Sequence, residues 1–190
     1  MHMFSEEKVA QMAAYLLLKR GGRMAYIKLM KLLYLSDRQS LITYGDSMSG
    51  DKAVSMDHGP VLSRTYNLLK GGSSDDSAWN RWIAGESNWE VSIKKRVSGL
   101  DDTDSFDELS RADIRILDSV FATYGHMRRF EICDLTHEIC PEWHDPDGSS
   151  IPINPREIFR AAGKTEDEAD AMMVHLQEHA MLREFNAKLS

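Results

Sequence analysis

Apolar side chains recur along the first quarter of the chain with the period of a helix, and one segment is apolar on more than one face. From Ser5, the spacing of Val9, Met12, Ala13 and Leu16 puts apolar groups on one side of a helix that runs to Arg20. Ser5 suits its N-cap, Glu6 and Glu7 suit the positive end of its dipole, and Gly21-Gly22 stops it. The next segment, about Met24 to Thr43, carries Ile27, Met30, Leu33 and Tyr34 on one stripe, with Leu29, Leu32 and Leu35 widening it. A helix so broadly apolar belongs at the centre of a fold. Its polar positions, Lys28, Lys31, Asp37 and Arg38, leave a narrow charged strip, and Gly45 ends it.

Lys52 to Asp57 reads as a short strand or extended arm. His58-Gly59-Pro60 then predicts a turn into a third helix with proline at its first position, where the missing N–H costs nothing. Val61, Thr65, Leu68 and Leu69 give that helix a buried face, and Gly71-Gly72 closes it. After a polar loop to Ser77, the alternation from Asn88 to Val97 predicts a strand with Trp89, Val91 and Ile93 on one side, and the acidic run Leu100 to Glu108 predicts a solvated loop. Ser110 with Asp113 resembles a capping box for a helix that ends at Gly125. A further helix spans Arg128 to Cys140 and is stopped by Pro141, and Glu142 to Asn154 is a loop. Asn154-Pro155-Arg156-Glu157 combines N-cap, N1 proline and N3 glutamate. Thr165 with Glu168 starts a last helix to about Leu189, with Ala169, Met172, Met173, Leu176 and Ala180 inward. The expected fold is mainly α (α+β): one compact helical domain over residues 1–190, of six to seven helices with a small two- or three-stranded β element.

Composition narrows this picture. A chain of 190 residues, 42% hydrophobic, buries one substantial core without covalent staples. Its two cysteines exclude a secreted disulfide framework and point to the cytoplasm. The longest apolar run, Ala13 to Leu18, is far short of the roughly 20 residues of a membrane span, and Met1 to Phe4 lacks the basic start of a signal peptide. A net charge of -7 opposes a general nucleic-acid coat. The charge is uneven. Residues 1–45 hold seven bases against three acids, whereas 73–110 hold four against nine and 141–190 five against ten. A dipolar surface of this kind steers a charged protein partner.

Candidate chemistry is sparse. Cys133, His137, Cys140 and His144, at steps of four, three and four, offer a thiolate and imidazole set of the kind tetrahedral zinc takes. One straight helix face would spread them over about 16 Å at 1.5 Å per residue, so the default reading is buried cysteines and a capping or core histidine. His175-Leu176-Gln177-Glu178-His179 matches the H-x-x-E-H pattern of inverted zinc peptidases, but no third ligand or cleft follows it, and a solvated helix face is the simpler reading. No serine or cysteine triad, Walker A sequence or G-x-G-x-x-G is present, so no cofactor is expected. Trp79, Trp82 and Trp89 sit in acidic surroundings and read as core or partner packing.

Lys28 to Leu35 (K-L-M-K-L-L-Y-L), Tyr44-Gly45, His58-Gly59-Pro60-Val61 with Tyr66 downstream, and Leu135-Thr136-His137 to Trp143, in that order, resemble the Panacea domain, the family of SocA-like antitoxins that includes phage-associated GepA-like proteins. The resemblance covers about residues 6–145. It implies a mostly helical, non-enzymatic domain of a toxin–antitoxin system, often prophage-borne, that neutralises a toxin encoded beside it. Neutralisation is by direct binding or, as in the SocA-like case, by delivery to a cytosolic AAA+ protease. A zinc-binding hydrolase and a transcription factor are the remaining readings, and no separate helix-turn-helix supports the latter. Residues 146–190 fall outside the matched motifs and read as a helical extension that selects the partner. Aromatic and arginine anchors usually carry such interfaces. The expected partner contacts are therefore Arg38, Arg64, Tyr66 and Trp82, together with the turn His58, Gly59 and Pro60.

Overall fold

Two helices are buried around nearly their whole circumference, and the remaining elements wrap them. In the computed structural model, which describes residues 4–85, 87–94 and 106–187, α1 spans Glu6–Lys19 and every residue from Val9 to Leu17 is buried. Ser5 caps it, its Oγ accepting from the Lys8 N–H at 3.2 Å. The sequence pattern assigned α1 one apolar stripe, but its small residues Ala10, Ala13 and Ala14 let neighbours close on every side. After strand β1 (Arg23–Ala25), α2 spans Tyr26–Tyr44 and ends on Gly45, whose φ of +68° makes the left-handed cap. Leu29, Leu32, Leu33 and Tyr34 of α2 are all at most 1% exposed.

Strands β2 (Ala53–Met56) and β3 (Gly59–Leu62) form a tight hairpin, and α3 follows over Ser63–Leu69. This corrects the expected role of Pro60, which lies in a strand and not at the start of a helix. β3 is an edge strand of its sheet, where a residue without an N–H is tolerated. The N-cap position of α3 is Leu62, which has no capping group. Asp51 supplies it from the preceding loop, accepting from the backbone N–H groups of Arg64 at 3.0 Å and Thr65 at 2.8 Å.

α4 (Ala78–Trp82), β4 (Ile83–Gly85), a 3-10 turn (Ser87–Trp89) and β5 (Glu90–Ile93) come next. They build a second three-stranded antiparallel sheet, β1-β5-β4. Val91 and Ile93 point inward as expected. Trp89 does not: it belongs to the turn, at φ +63°, and is 67% exposed. Positions 95–97 of the expected strand and 100–105 of the expected acidic loop lie outside the described residues. The loop's described end, however, is an anchor. Phe106 is 3% exposed, stacks on Trp82 and meets Tyr15 edge-on, while Asp107 accepts from buried Gln11.

α5 (Arg111–Tyr124) opens with the Ser110/Asp113 capping box, and α6 spans Arg129–Ile139. The expected loop from Glu142 to Asn154 contains a short strand, β6 (Ile151–Pro152), which pairs with β2. α7 (Pro155–Ala161) starts with the predicted Asn154/Glu157 box, and α8 spans Glu166–Ala187. Leu41 of α2 packs with Ile153, Ile158, Phe159 and Ala169 in a core that the extension shares with the rest of the chain. The fold is mainly α with a small β component, as expected. Among the described residues the count is eight α-helices and two small sheets, because α4 and β6 are too short to register as patterns. No helix among the described residues is long and apolar enough to cross a membrane.

Candidate functional site

The polar strip of α2 is not a surface. Lys28, Lys31 and Asp37 are 4%, 0% and 3% exposed, and each is committed to a different part of the fold. Lys28 donates to the carbonyls of Gly125 and Met127 at 2.6 and 2.7 Å, so a cation sits at the negative C-terminal end of α5. Lys31, one turn later, donates to the Pro60 carbonyl at 2.9 Å. Tyr34 and Arg38 follow on the same face. Tyr34 donates its O–H to Glu142 at 2.6 Å, and Arg38 grips both Glu142 oxygens, Nε to Oε1 at 2.6 Å and Nη2 to Oε2 at 3.2 Å. The Glu142 side chain is fully buried, which makes this bidentate pair its counter-charge.

The tightest junction is at Gly59, which stands in the left-handed region at φ +93° just after the Asp57-His58 turn. A Cβ there would lie 2.7 Å from Thr136 Oγ1, 3.0 Å from Lys31 Nζ and 3.2 Å from His137 Nε2. Only glycine lets α2, β3 and α6 approach this closely. Thr136 donates to the Cys133 carbonyl at 2.7 Å, and the His137 ring stacks on Trp143 with centroids 4.0 Å apart. Trp143 in turn donates its indole N–H to the Met56 carbonyl at 2.9 Å. Burial pulls the Lys31 ammonium down to about 8. Burial and, secondarily, the Lys31 charge hold His137 below its ordinary value, which leaves a neutral imidazole at pH 7. Its Nε2 is buried without a hydrogen-bond partner.

These contacts place the expected residues. Gly59 and Pro60 are buried in the junction and His58 is exposed at the hairpin turn. Arg38 is spent on Glu142. Trp82 is spent inside, donating its indole N–H to Glu7 at 2.6 Å. Arg64 is exposed, with its guanidinium 4.2 Å from the Phe4 ring centroid, and Tyr66 packs beside Met30, Val54 and Val61. The seven therefore divide between the seam and separate surfaces and do not form one patch.

Of the zinc set, Cys133 and Cys140 are buried and His144 is exposed. Burial raises the Cys133 thiol and pushes Cys140 up to about 12, so both are protonated thiols at neutral pH. Among the described residues no group of three or more His, Cys, Asp or Glu side chains is arranged to hold a metal ion. His175 and His179 of α8 lie ring to ring at 4.0 Å, with Asp46 3.7 Å from His179 Nδ1.

Sequence reasoning missed Thr136 as a junction residue, Glu142 as a buried counter-ion and the burial of the lysines. One signal was available: Lys28, Lys31, Tyr34 and Arg38 recur at three- and four-residue steps on a helix that is otherwise apolar, a pattern that belongs to an internal polar face. A family model, antitoxin SocA-like, Panacea domain, matches residues 29–144. No curated protein and no solved structure matches the chain.

Proposed function

The chain belongs to the family of SocA-like antitoxin, Panacea domains, and from that premise we propose that it neutralises a cognate toxin, encoded beside it, by stoichiometric protein–protein binding in the cytoplasm. The observation that carries this reading is the extent of the match. Residues 29–144 contain Lys31, Tyr34, Arg38, Gly59, Thr136, His137, Glu142 and Trp143. The polar groups of these residues are turned into the seam, where they hold the scaffold together. Recognition then falls to surfaces around the seam, and the chain acts as a binding protein.

The extension after residue 145 is the partner-selecting element in this reading. Val174, Met181, Leu182 and Phe185 on α8 are each more than half exposed. The helix carries six acidic residues against one basic one over residues 166–187. An apolar stripe with acidic flanks suits an apolar groove with a basic rim, the helix-in-groove mode of recognition. The basic N-terminal segment is a weaker candidate, since Lys28 and Lys31 are buried and Lys8, Lys19 and Arg38 are paired with Asp113, Asp118 and Glu142.

Co-expression with the neighbouring gene product tests the proposal: growth is rescued and the two proteins co-purify. M181S/F185S abolishes co-purification while thermal unfolding stays where it was. Failure of both rescue and co-purification removes the reading. Toxin half-life in a protease-deficient strain separates blocking from delivery to an AAA+ protease, because a blocker protects there and an adaptor does not.

A further inference from the structure

A cavity of about 350 Å3 opens between the C-terminal half of α2, residues 47–53 and the extension. Its walls include Leu41, Ile153, Ile158, Met173 and Leu176, and Asp37 lines it too. Asp37 is 3% exposed. Its Oδ1 accepts from the Ser49 N–H at 2.8 Å and the Ser47 hydroxyl at 3.0 Å, Oδ2 lies 3.0 Å from that same hydroxyl, and the Ser49 hydroxyl is a further donor to the carboxylate. A carboxylate offers about four acceptor sites, so Oδ2 retains capacity. Every donor is neutral. Among the described residues no cation pairs with Asp37, and the charge acting on it is the like charge of Asp51.

That contrasts with Glu142, equally buried but held by Arg38. A carboxylate buried without a counter-charge is costly, and burial accordingly raises the Asp37 pKa. Asp51 and the exposed Lys52 also line the cavity, but the Asp51 oxygens are taken up by the N–H groups of Lys52, Arg64 and Thr65 and by the Thr65 hydroxyl, which leaves Asp37 as the carboxylate with capacity to spare. Largely aliphatic walls with that carboxylate match a ligand with a methylene stem and a cationic head. The volume is at the small end of the roughly 300–1,000 Å3 typical of ligand sites, enough for one long side chain.

We propose that this cavity receives a lysine or arginine side chain of the toxin, its stem against Leu41, Ile153, Met173 and Leu176 and its cation on Asp37. The inference rests on the antitoxin reading and specifies its anchor. The excess acid on α8, which supplies Met173 and Leu176, draws a basic partner to this mouth.

Titration calorimetry of the full-length protein with its toxin tests it, using D37N and Q177W. The amide that D37N introduces can still accept from the Ser49 N–H, and Gln177 is an exposed residue at the mouth whose replacement leaves Asp37 untouched. D37N weakens the complex about tenfold or more, as loss of a buried interfacial charge pair does, and Q177W, by filling the mouth, weakens it to a similar extent. n-Hexylammonium competes with the toxin, whereas n-hexanol does not. A complex that forms with unchanged affinity in both variants overturns the inference and leaves the antitoxin reading intact. If no complex forms at all, the antitoxin reading falls and the toxin is removed as the source. Asp37-dependent thermal stabilisation by n-hexylammonium then supports a free amine as the occupant, and equal stabilisation by n-hexanol refutes the cation site itself.

Discussion

The seam along α2 and the surface of the extension use the same residue types in opposite ways. At the seam, Lys31 and Glu142 are enclosed and the Arg38 side chain is only 14% exposed, so these partners have little water to fall back on. On the extension, Arg156 and Arg160 reach Glu166 and Asp170 at 2.7 to 2.8 Å across α7 and α8, but with side chains between one third and two thirds exposed. Exposed pairs of this kind contribute little, since water and salt compete for both ends. The difference teaches where this chain is free to change. Charges that specify the scaffold are inside, and charges outside can be exchanged to suit a partner.

Removing Glu142 is the most severe test of the contrast. Glu142→Ala leaves the buried Tyr34 hydroxyl and the largely enclosed Arg38 guanidinium without their acceptor, and a loss of about 3–5 kcal/mol in urea unfolding is expected; a loss under about 1 kcal/mol would show that the pair is solvated. Gly59→Ala comes next. Its Cβ meets Thr136 at 2.7 Å in a left-handed backbone conformation, and overpacking with strain costs about 1–3 kcal/mol.

Lys31→Met sharpens the comparison through pH. The Lys31 pKa falls from the ordinary 10.5 to about 8 on folding. Between those values the unfolded chain binds the extra proton, so this group's contribution to stability rises with pH, being lowest below 8 and complete above 10.5. Wild type therefore gains on Lys31→Met by up to about 1.4 kcal/mol per pH unit through that window. A difference that is flat with pH refutes a buried ammonium. The smallest effect belongs to the extension: Arg156→Ala leaves the unfolding midpoint unmoved at about 0.15 M salt. A clear drop there would erase the distinction between the two regions.

Much of the fold was legible because it is written in short-range signals. The caps at Ser5, Ser110, Asn154 and Thr165 formed as expected, since a capping box is satisfied within four residues. The failures are long-range. Pro60 looked like a helix start because the pairing that makes it a strand comes from Ser55 across the hairpin. The end of the acidic run looked solvated because Phe106 finds Trp82 and Tyr15 only after folding. The same limit applies to the site. The motif residues were visible one by one, but their convergence on the missing Cβ of Gly59 depends on α2, β3 and α6 meeting, which no local pattern encodes.

The sheet β3-β2-β6 has a consequence for the order in which the chain is made. β2 and β3 emerge together, but the strand that closes the other edge of β2 begins at Ile151, about 95 residues after Met56. At a synthesis rate of roughly 5–20 residues per second, that edge stays open on the ribosome for about 5–20 s. Leu41 waits somewhat longer, about 117 residues, for Ile158 and Phe159. The nascent chain thus passes through an interval in which its first two helices and hairpin exist without the segment that shields them, and the finished fold is available only after that interval closes.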